Sequence, residues 1–351
     1  GYQPTTIDIT PENMFNRTRL SETTVMIETI QVVGSRISEK QKESPLTVES
    51  LDLQAIKATP SANFYDGLGA LKDVDMTTAS LGFKVINTRG FNSTSPVRSL
   101  QIIDGVDNQA PGLNFSLGNF LGSSELDVLK VDIVVGASGA YYGPNAFNGV
   151  ISMETKNPFI HKGLAGMVRA GQRNLLEGSF RYADALKNKN GKEFFAYKLN
   201  FFAFRADDWE AENYNQVEVA RVLVPDDNPG RYDAVNIYGD EYYALADVTN
   251  SDAHLISDPG IGTFYRTGYR EIDLVDYDTR NIKANAAFHF RTNPAIGIES
   301  PELILSSSFG SGTTVYQGDN RFSLKDILFF QNRIEFRKRD RYFIRAYATN
   351  E

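Results

Sequence analysis

The chain has 351 residues, 41% hydrophobic and 23% charged, and carries a net charge of −8. This balance excludes a disordered chain, and its acidic sign excludes a general nucleic-acid binder, which needs a basic face to replace phosphate counterions. There is no cysteine, and His161, His254 and His289 share no i,i+4 spacing. Disulfide frameworks, thiolate nucleophiles and helical metal pairs are therefore excluded.

No run approaches 18 uncharged apolar residues, so no transmembrane helix is expected. A membrane protein with this composition has to be a β-barrel, because only helices and closed barrels satisfy the backbone in lipid. No secretory leader is visible. Gly1 begins in mid-pattern, and any leader is expected upstream of it.

Residues 1–44 are polar, with short β-type patches at 6–9 and 29–33 and a charged linker at 36–43. Residues 45–158 predict a compact α+β unit. Pro45, Leu46, Thr47 and Val48 open it as a strand. Thr59, Pro60 and Ser61 predict the start of a helix through Leu71, with Phe64, Leu68 and Leu71 on one face. The stretches 83–89 and 99–103 alternate as strands and end in turns at Gly90 and at Asp104-Gly105. Ser123 is expected to cap a short helix toward Leu129, and 131–135 and 149–155 predict two more strands.

From Gly163 onward the texture changes to segments of about ten residues with strict alternation. Seven strands are predicted near 163–174, 176–186, 193–209, 280–292, 301–318, 324–339 and 341–351. In one of them Ile282, Ala284, Ala286, Phe288 and Phe290 oppose Asn281, Lys283, Asn285, Ala287, His289 and Arg291. Apolar-out, polar-in alternation is what a transmembrane barrel strand shows, and a soluble antiparallel sandwich alternates too. The connections at 187–192, 293–300 and 339–341 are short and fall on one end. The insertion 210–279 falls on the other, as extracellular loops do.

That insertion is a distinct physical object. Residues 207–278 hold seventeen Asp and Glu against four Arg and no Lys, a net of −13, which leaves the rest of the chain at +5. It also holds eight tyrosines, at 214, 232, 238, 242, 243, 265, 269 and 277. This composition fits either a recognition surface, where Tyr is a typical contact residue, or a solvated acidic loop. Asp226 and Asp227 read as solvated acids rather than a Ca²⁺ site.

Three ordered blocks carry a family resemblance: Thr88-Arg89-Gly90-Phe91, Ile102-Ile103-Asp104-Gly105-Val106, and the run from Gly139 through Tyr141, Tyr142, Gly143, Ala146 and Gly149 to Ile151. Together they resemble the plug of the TonB-dependent outer-membrane receptors, Bacteroidetes-type. The resemblance covers roughly 28–158 by motif and 159–351 by architecture only. It implies an α+β plug domain followed by an antiparallel transmembrane β-barrel, incomplete in this chain at about seven strands where the family has about 22. The domains expected are the tail of a small β-sandwich and linker at 1–27, a TonB-box segment and linker at 28–44, the plug at 45–158, and barrel strands at 159–351.

The same resemblance implies TonB-dependent import of a ligand across the bacterial outer membrane, with the plug gating the lumen and the N-terminus toward the periplasm. The alternative is a non-transporting plugged barrel within a larger surface or secretion assembly. Glu28, Thr29, Ile30, Gln31, Val32 and Val33 look like the TonB box that pairs with the inner-membrane energy transducer, or else a linker or plug strand. Further expected partners are a surface lipoprotein lid, the lipid bilayer and lipopolysaccharide. No cofactor, metal or catalytic constellation is expected: Gly136-Ala137-Ser138-Gly139 lacks the nucleophile-elbow spacing.

Arg89 is expected to make a plug–barrel ionic contact. Asp104 and Gly105 read as a turn, and Gly90, Gly143 and Gly149 as motif or close-packing glycines. Where the family often has a basic residue and Gly-Pro, this chain has Val135-Gly136-Ala137, which removes that anchor. Two apex loops are expected near 76–82 and 107–120. In the second, Asn108, Gln109, Asn114, Phe115 and Asn119 are candidates to hold a polar ligand, or else line a solvated loop.

Overall fold

The computed structural model describes residues 46–350 apart from 60–63, 95, 117, 121, 216–233, 240, 244–263, 267, 318–320 and 340. The tail and the TonB-box segment 28–33 lie outside the described residues, as does most of the acidic insertion.

The first unit is a five-stranded sheet with helical turns on one face. Its strands are β1 (Thr47–Leu51), β4 (Leu100–Ile103), β5 (Val106–Asp107), β8 (Val128–Val135) and β9 (Val150–Thr155), in the order β1-β8-β9-β4-β5. Only β4 and β9 run parallel. Two small ribbons stand beside it: β2 (Val74–Thr78) with β3 (Lys84–Thr88), and β6 (Gln109–Ala110) with β7 (Phe115–Ser116). Val131, Ile133, Val135, Ile151 and Met153 bury one sheet face against Phe64, Tyr65 and Leu68.

Two sequence readings shift. Among the described residues, the helix expected from Thr59, Pro60 and Ser61 through Leu71 is one turn of α-helix, α2 (Phe64–Gly67), tightened into a 3₁₀ turn over Leu68–Ala70. Ahead of it lies α1 (Leu53–Ala58), which starts where Asp52 accepts a 2.8 Å bond from Ala55 N, the capping an Asp supplies to an orphan donor. The cap expected at Ser123 is made by Ser124, which accepts from Leu126 N. The turn it starts stops at Asp127 because β8 already begins at Val128.

The second unit is an antiparallel seven-stranded wall. Its strands are β10 (Gly163–Ala170), β11 (Leu176–Lys187), β12 (Glu193–Asp207), β17 (Asp278–Arg291), β18 (Glu302–Gln317), β19 (Arg321–Lys338) and β20 (Tyr342–Asn350), hydrogen-bonded in that order. Between β12 and β17 the insertion contributes two ribbons, β13 (Ile237–Tyr238) with β16 (Tyr269–Arg270) and β14 (Glu241–Tyr243) with β15 (Phe264–Arg266), and one helical turn, α4 (Glu271–Leu274). A fourth helical turn, α3 (Gly139–Tyr142), belongs to the loop between β8 and β9.

Burial along the wall alternates with period two. Leu199, Phe201, Ile282, Phe288, Leu305, Phe330 and Ile334 are exposed on the outer face, whereas Lys198, Asn200, Asn281, Lys283, His289 and Glu335 are buried on the inner one. A water-soluble sheet does the reverse, so the outer face is the one that meets lipid. Aromatics concentrate on that face toward the short turns, where Phe195 packs against Tyr197, Phe288 and Phe290, and Phe336 against Tyr342. This is the aromatic girdle expected at a membrane boundary. Among the described residues no helix is long and apolar enough to cross a membrane.

Candidate functional site

The site is the seam between the α+β unit and the inner face of the wall. At its centre, Asp127 accepts from Arg181 Nε at 2.8 Å and from Lys198 Nζ at 2.7 Å. Asp127 is 2% exposed, and the two cation side chains are 4% and 6% exposed. Lys198 Nζ also donates to Thr155 Oγ1 and to the Lys156 carbonyl, and Arg181 Nη1 donates to the His161 carbonyl. Both cations therefore clamp the segment where the first unit leads into the wall. Desolvating three charges is expensive unless each lone pair and proton finds a partner, and here nearly all do; Arg181 Nη2 is buried without one. At the edge of the seam Arg169 spans Glu125 at 3.0 Å and Glu177 at 2.8 Å.

A second anchor lies at the Asp104-Gly105 turn. Asp104 (φ 49°) and Gly105 (φ 77°) form the tight hairpin between β4 and β5, the left-handed pair that a two-residue turn demands. Arg333 Nη1 donates to the Asp104 carbonyl at 2.8 Å, and Arg345 Nη1 donates to the Gly105 carbonyl at 2.7 Å. A Cβ on Gly105 would overlap the Arg345 guanidinium, so this glycine serves both the turn and the wall contact. The Asp104 carboxylate accepts from Thr155 N and Oγ1 and lies 3.4 Å from Arg333 Nη2. Burial alone would push this carboxyl up. The charges of Lys198 and Arg333 and the Thr155 bonds outweigh that and hold it below the ordinary carboxylate range,.

The upper part of the seam is apolar, with one polar catch. Phe83, Val85, Ala110 and Phe120 pack against Tyr316 and Phe329 of the wall. Beside them the buried Asp208 carboxylate, at the foot of the insertion, accepts from Leu81 N at 3.1 Å, Trp209 N at 2.8 Å and Thr279 Oγ1 at 2.7 Å. One side chain thus ties the 79–82 loop to the head of β12 and β17. Above it the fully buried Glu271 accepts from Asn236, Tyr238 and Tyr277 and knots the base of the insertion.

The sequence-predicted residues fall in different places. Arg89 (φ 55°) hydrogen-bonds Thr47 at 3.3 Å and lies over Gly136, so its contacts among the described residues are within its own unit. What joins the first and third motif blocks is a buried amide-hydroxyl cluster. Thr88 N donates to Asn148 Oδ1, Asn148 Nδ2 to Asn87 Oδ1 and to the Phe91 carbonyl, and Gly136 N to Thr88 Oγ1. Gly90 closes the turn after β3, and Gly143 caps α3. Gly149 sits at φ 115° with Thr88 Cγ2 3.0 Å from where its Cβ would stand.

Of the apex amides, Asn108 is buried against Gln101, and the Asn119 carbonyl accepts from Lys283 Nζ at 2.6 Å. Gln109, partly buried, and Asn114, exposed, lie in the β6–β7 hairpin, where Gln109 Nε2 donates to the Asn114 carbonyl. The Phe115 backbone belongs to β7; its side chain lies outside the description. Among the described residues no group of three His, Asp or Glu could hold a metal ion. Asp127, Arg181 and Lys198 carried no signal in sequence, because 54 and 71 residues separate the acid from its partners.

An α+β unit seated by buried ion pairs on the polar face of a lipid-facing antiparallel wall defines a plugged β-barrel. Residues 40–150 match the family model of the TonB-dependent Receptor Plug Domain. The chain accordingly carries the plug of the TonB-dependent receptors, followed by strands of the barrel wall. Among solved structures it is similar to a mutant of the ferric enterobactin receptor from Pseudomonas aeruginosa, at 15% identity over 88% of this chain and 40% of that one, with a TM-score of 0.51. A copper transporter matches at 10% identity, 86% and 37% coverage and a TM-score of 0.49. The ferric yersiniabactin uptake receptor of Yersinia pestis matches at 13% identity, 87% and 46% coverage and 0.42. The chain thus spans about 40% of the length of the receptor it matches at 0.51. No match was found among curated proteins.

Proposed function

We propose that this chain is the plug and leading wall of a receptor that imports a ligand across the bacterial outer membrane, with work supplied through a TonB-type inner-membrane transducer. The observation that carries the reading is the seating of Asp127 between Arg181 and Lys198. The plug is held by a few strong, non-covalent contacts placed next to its exit into the wall. Such contacts are stable at rest and can be broken by force applied from the periplasmic side.

The segment Glu28–Val33 is the proposed point of that force. Its alternation suits β-augmentation by a strand of the transducer, which needs an accessible strand and little side-chain specificity. Ligand occupancy outside and exposure of this segment inside would then be thermodynamically coupled. The gating reading also draws on Asp208, which ties the plug loop 79–82 to the foot of the extracellular insertion.

The test is deletion of residues 28–33 in the full-length receptor, in cells whose growth depends on it. The expected outcome is loss of growth while the receptor still reaches the outer membrane in normal amount. Growth equal to that of the parent would sink the import reading and leave a non-transporting plugged barrel.

A further inference from the structure

The ion pairs that cross the seam run in one direction, although the inner face of the wall also carries the buried acids Glu177, Glu302 and Glu335. The plug supplies the acids Glu125, Asp127 and Asp104, and the wall supplies the bases Arg169, Arg181, Lys198 and Arg333. Some wall cations have a wall carboxylate of their own: Arg169 pairs with Glu177, and Arg345 with Glu335 at 2.6 Å. Three do not. The acid within ion-pair distance of Arg181 and Lys198 is Asp127 of the plug, and Lys283, 1% exposed, donates to a plug carbonyl and lies 4.5 Å from the Phe202 ring centre.

Strand register places these three together. Arg181 pairs with Asn200, Lys198 with Ala287, and Phe202 with Lys283, on the adjacent strands β11, β12 and β17. The neighbours at the height of Arg181 are neutral: Asn200, Asn285, Ser308, Gln331 and Thr349 stand side by side across five strands. The Asn200 amide and Asn285 Oδ1 are buried without hydrogen bonds and line a cavity of ≈ 50 Å³ with Lys198, Arg333, Asp104 and Asp127.

A seal alone does not call for this. Buried ion pairs are often no better than apolar packing of the same volume, so cations whose partners are on the movable part act when that part has moved. We propose that displacing the plug uncovers a cationic track, Arg181-Lys198-Lys283, on the lumen wall, and that the ligand conducted along it is an anion. In a narrow low-dielectric passage such a row concentrates anions and repels cations. Several acids at the described rim of the insertion are engaged: Asp278 with Arg205, Asp273 with Arg270, and Asp208 and Glu271 with hydrogen-bond donors.

The inference rests on the import reading, and its test is independent of the transducer. Full-length receptor is inserted in planar bilayers and opened with urea, and the reversal potential is read in a KCl gradient for the parent and for R181Q/K198Q/K283Q. The expected result is a shift of the chloride-to-potassium permeability ratio toward potassium by about threefold or more in the variant. An unchanged ratio overturns the proposal while leaving import intact. Because the triple variant removes buried charges, the parent is also probed alone: block of its KCl current by citrate and not by spermine is expected, and any other pattern of block overturns the proposal.

Discussion

Asp127 of the plug and Lys198 of the wall meet at 2.7 Å with both side chains buried, and Arg181 closes on the same carboxylate from the neighbouring strand. Asp127→Ala leaves two cations in a dry seam without their acid. Removing one member of a buried pair costs about 3–5 kcal/mol. The expected outcome is a plug cleaved far faster by protease in outer-membrane vesicles, with the heat-resistant migration of the barrel kept. Adding K198M and R181M should recover most of the loss, since the uncompensated charge, rather than the missing contact, is the main penalty. No recovery would contradict the desolvation account.

Gly105→Ala should weaken the second anchor through two separable effects. The residue sits at φ 77°, where a Cβ costs about 1–2 kcal/mol,, and that Cβ would also displace the Arg345 guanidinium. Thermal unfolding of Gly105→Ala, Arg345→Ala and the double variant resolves them. The double variant is expected to lose less than the sum of the singles. Strict additivity would mean that Arg345 does not occupy the space above Gly105.

The seam should loosen in acid. The Asp104 carboxyl is held below the ordinary range by Lys198, Arg333 and Thr155. A depressed pKa contributes stability that is present above the unfolded value of about 3.9 and is lost as pH falls through the lower folded value. Glu154, pushed up mainly by burial, acts in the opposite sense and gains stability as pH falls. Plug protease sensitivity should therefore rise below about pH 4 in the parent. In Asp104→Asn it should already be higher at neutral pH and rise less. An identical pH profile in the two proteins would remove Asp104 from the account.

Asp208→Ala should free the plug loop from the insertion-bearing rim without unseating the plug. Its carboxylate satisfies Leu81 N, Trp209 N and Thr279 Oγ1 in a buried position. Loss of a charge-assisted bond of about 1.5–3 kcal/mol should speed exchange of the Leu81 amide by roughly 10- to 100-fold, with amides of β8 and β9 unchanged. Equal protection at Leu81 would show that the loop is held by its apolar contacts alone.

What the sequence exposed and what it hid follow from the range of the forces involved. The wall strands were legible because alternation is local: Ile282, Ala284, Ala286 and Phe288 declare a face without knowing their neighbours. The Asp104-Gly105 hairpin was legible for the same reason, as two residues of turn chemistry. The helix at 53–58 was missed because a single Asp52 cap and six residues give little periodicity. Which wall residues meet the plug was not legible at all. Asp127 looks like any helix-end acid until 3₁₀ curvature, strand tilt and register bring Arg181 and Lys198 to it. Two of the three motif blocks share a place, at Asn148 and Thr88, but the asparagine that joins them is inconspicuous among the many polar amides of the same kind in the chain.

The outer face gives the sharpest test of the membrane reading against a soluble sandwich. Phe201 stands near the middle of β12 and is 47% exposed, whereas Phe290 stands beside the short turn after β17 and is 37% exposed. Exposure is similar, so in water lysine at either site would have a similar and small effect. In lipid the two differ by depth: lysine costs about 2–4 kcal/mol at the midplane and about 0–1 near the interface. Phe201→Lys is therefore expected to lower folding efficiency into phospholipid vesicles markedly, and Phe290→Lys to lower it little. Equal losses, or a larger loss at Phe290, would place the hydrocarbon centre elsewhere or return this sheet to water.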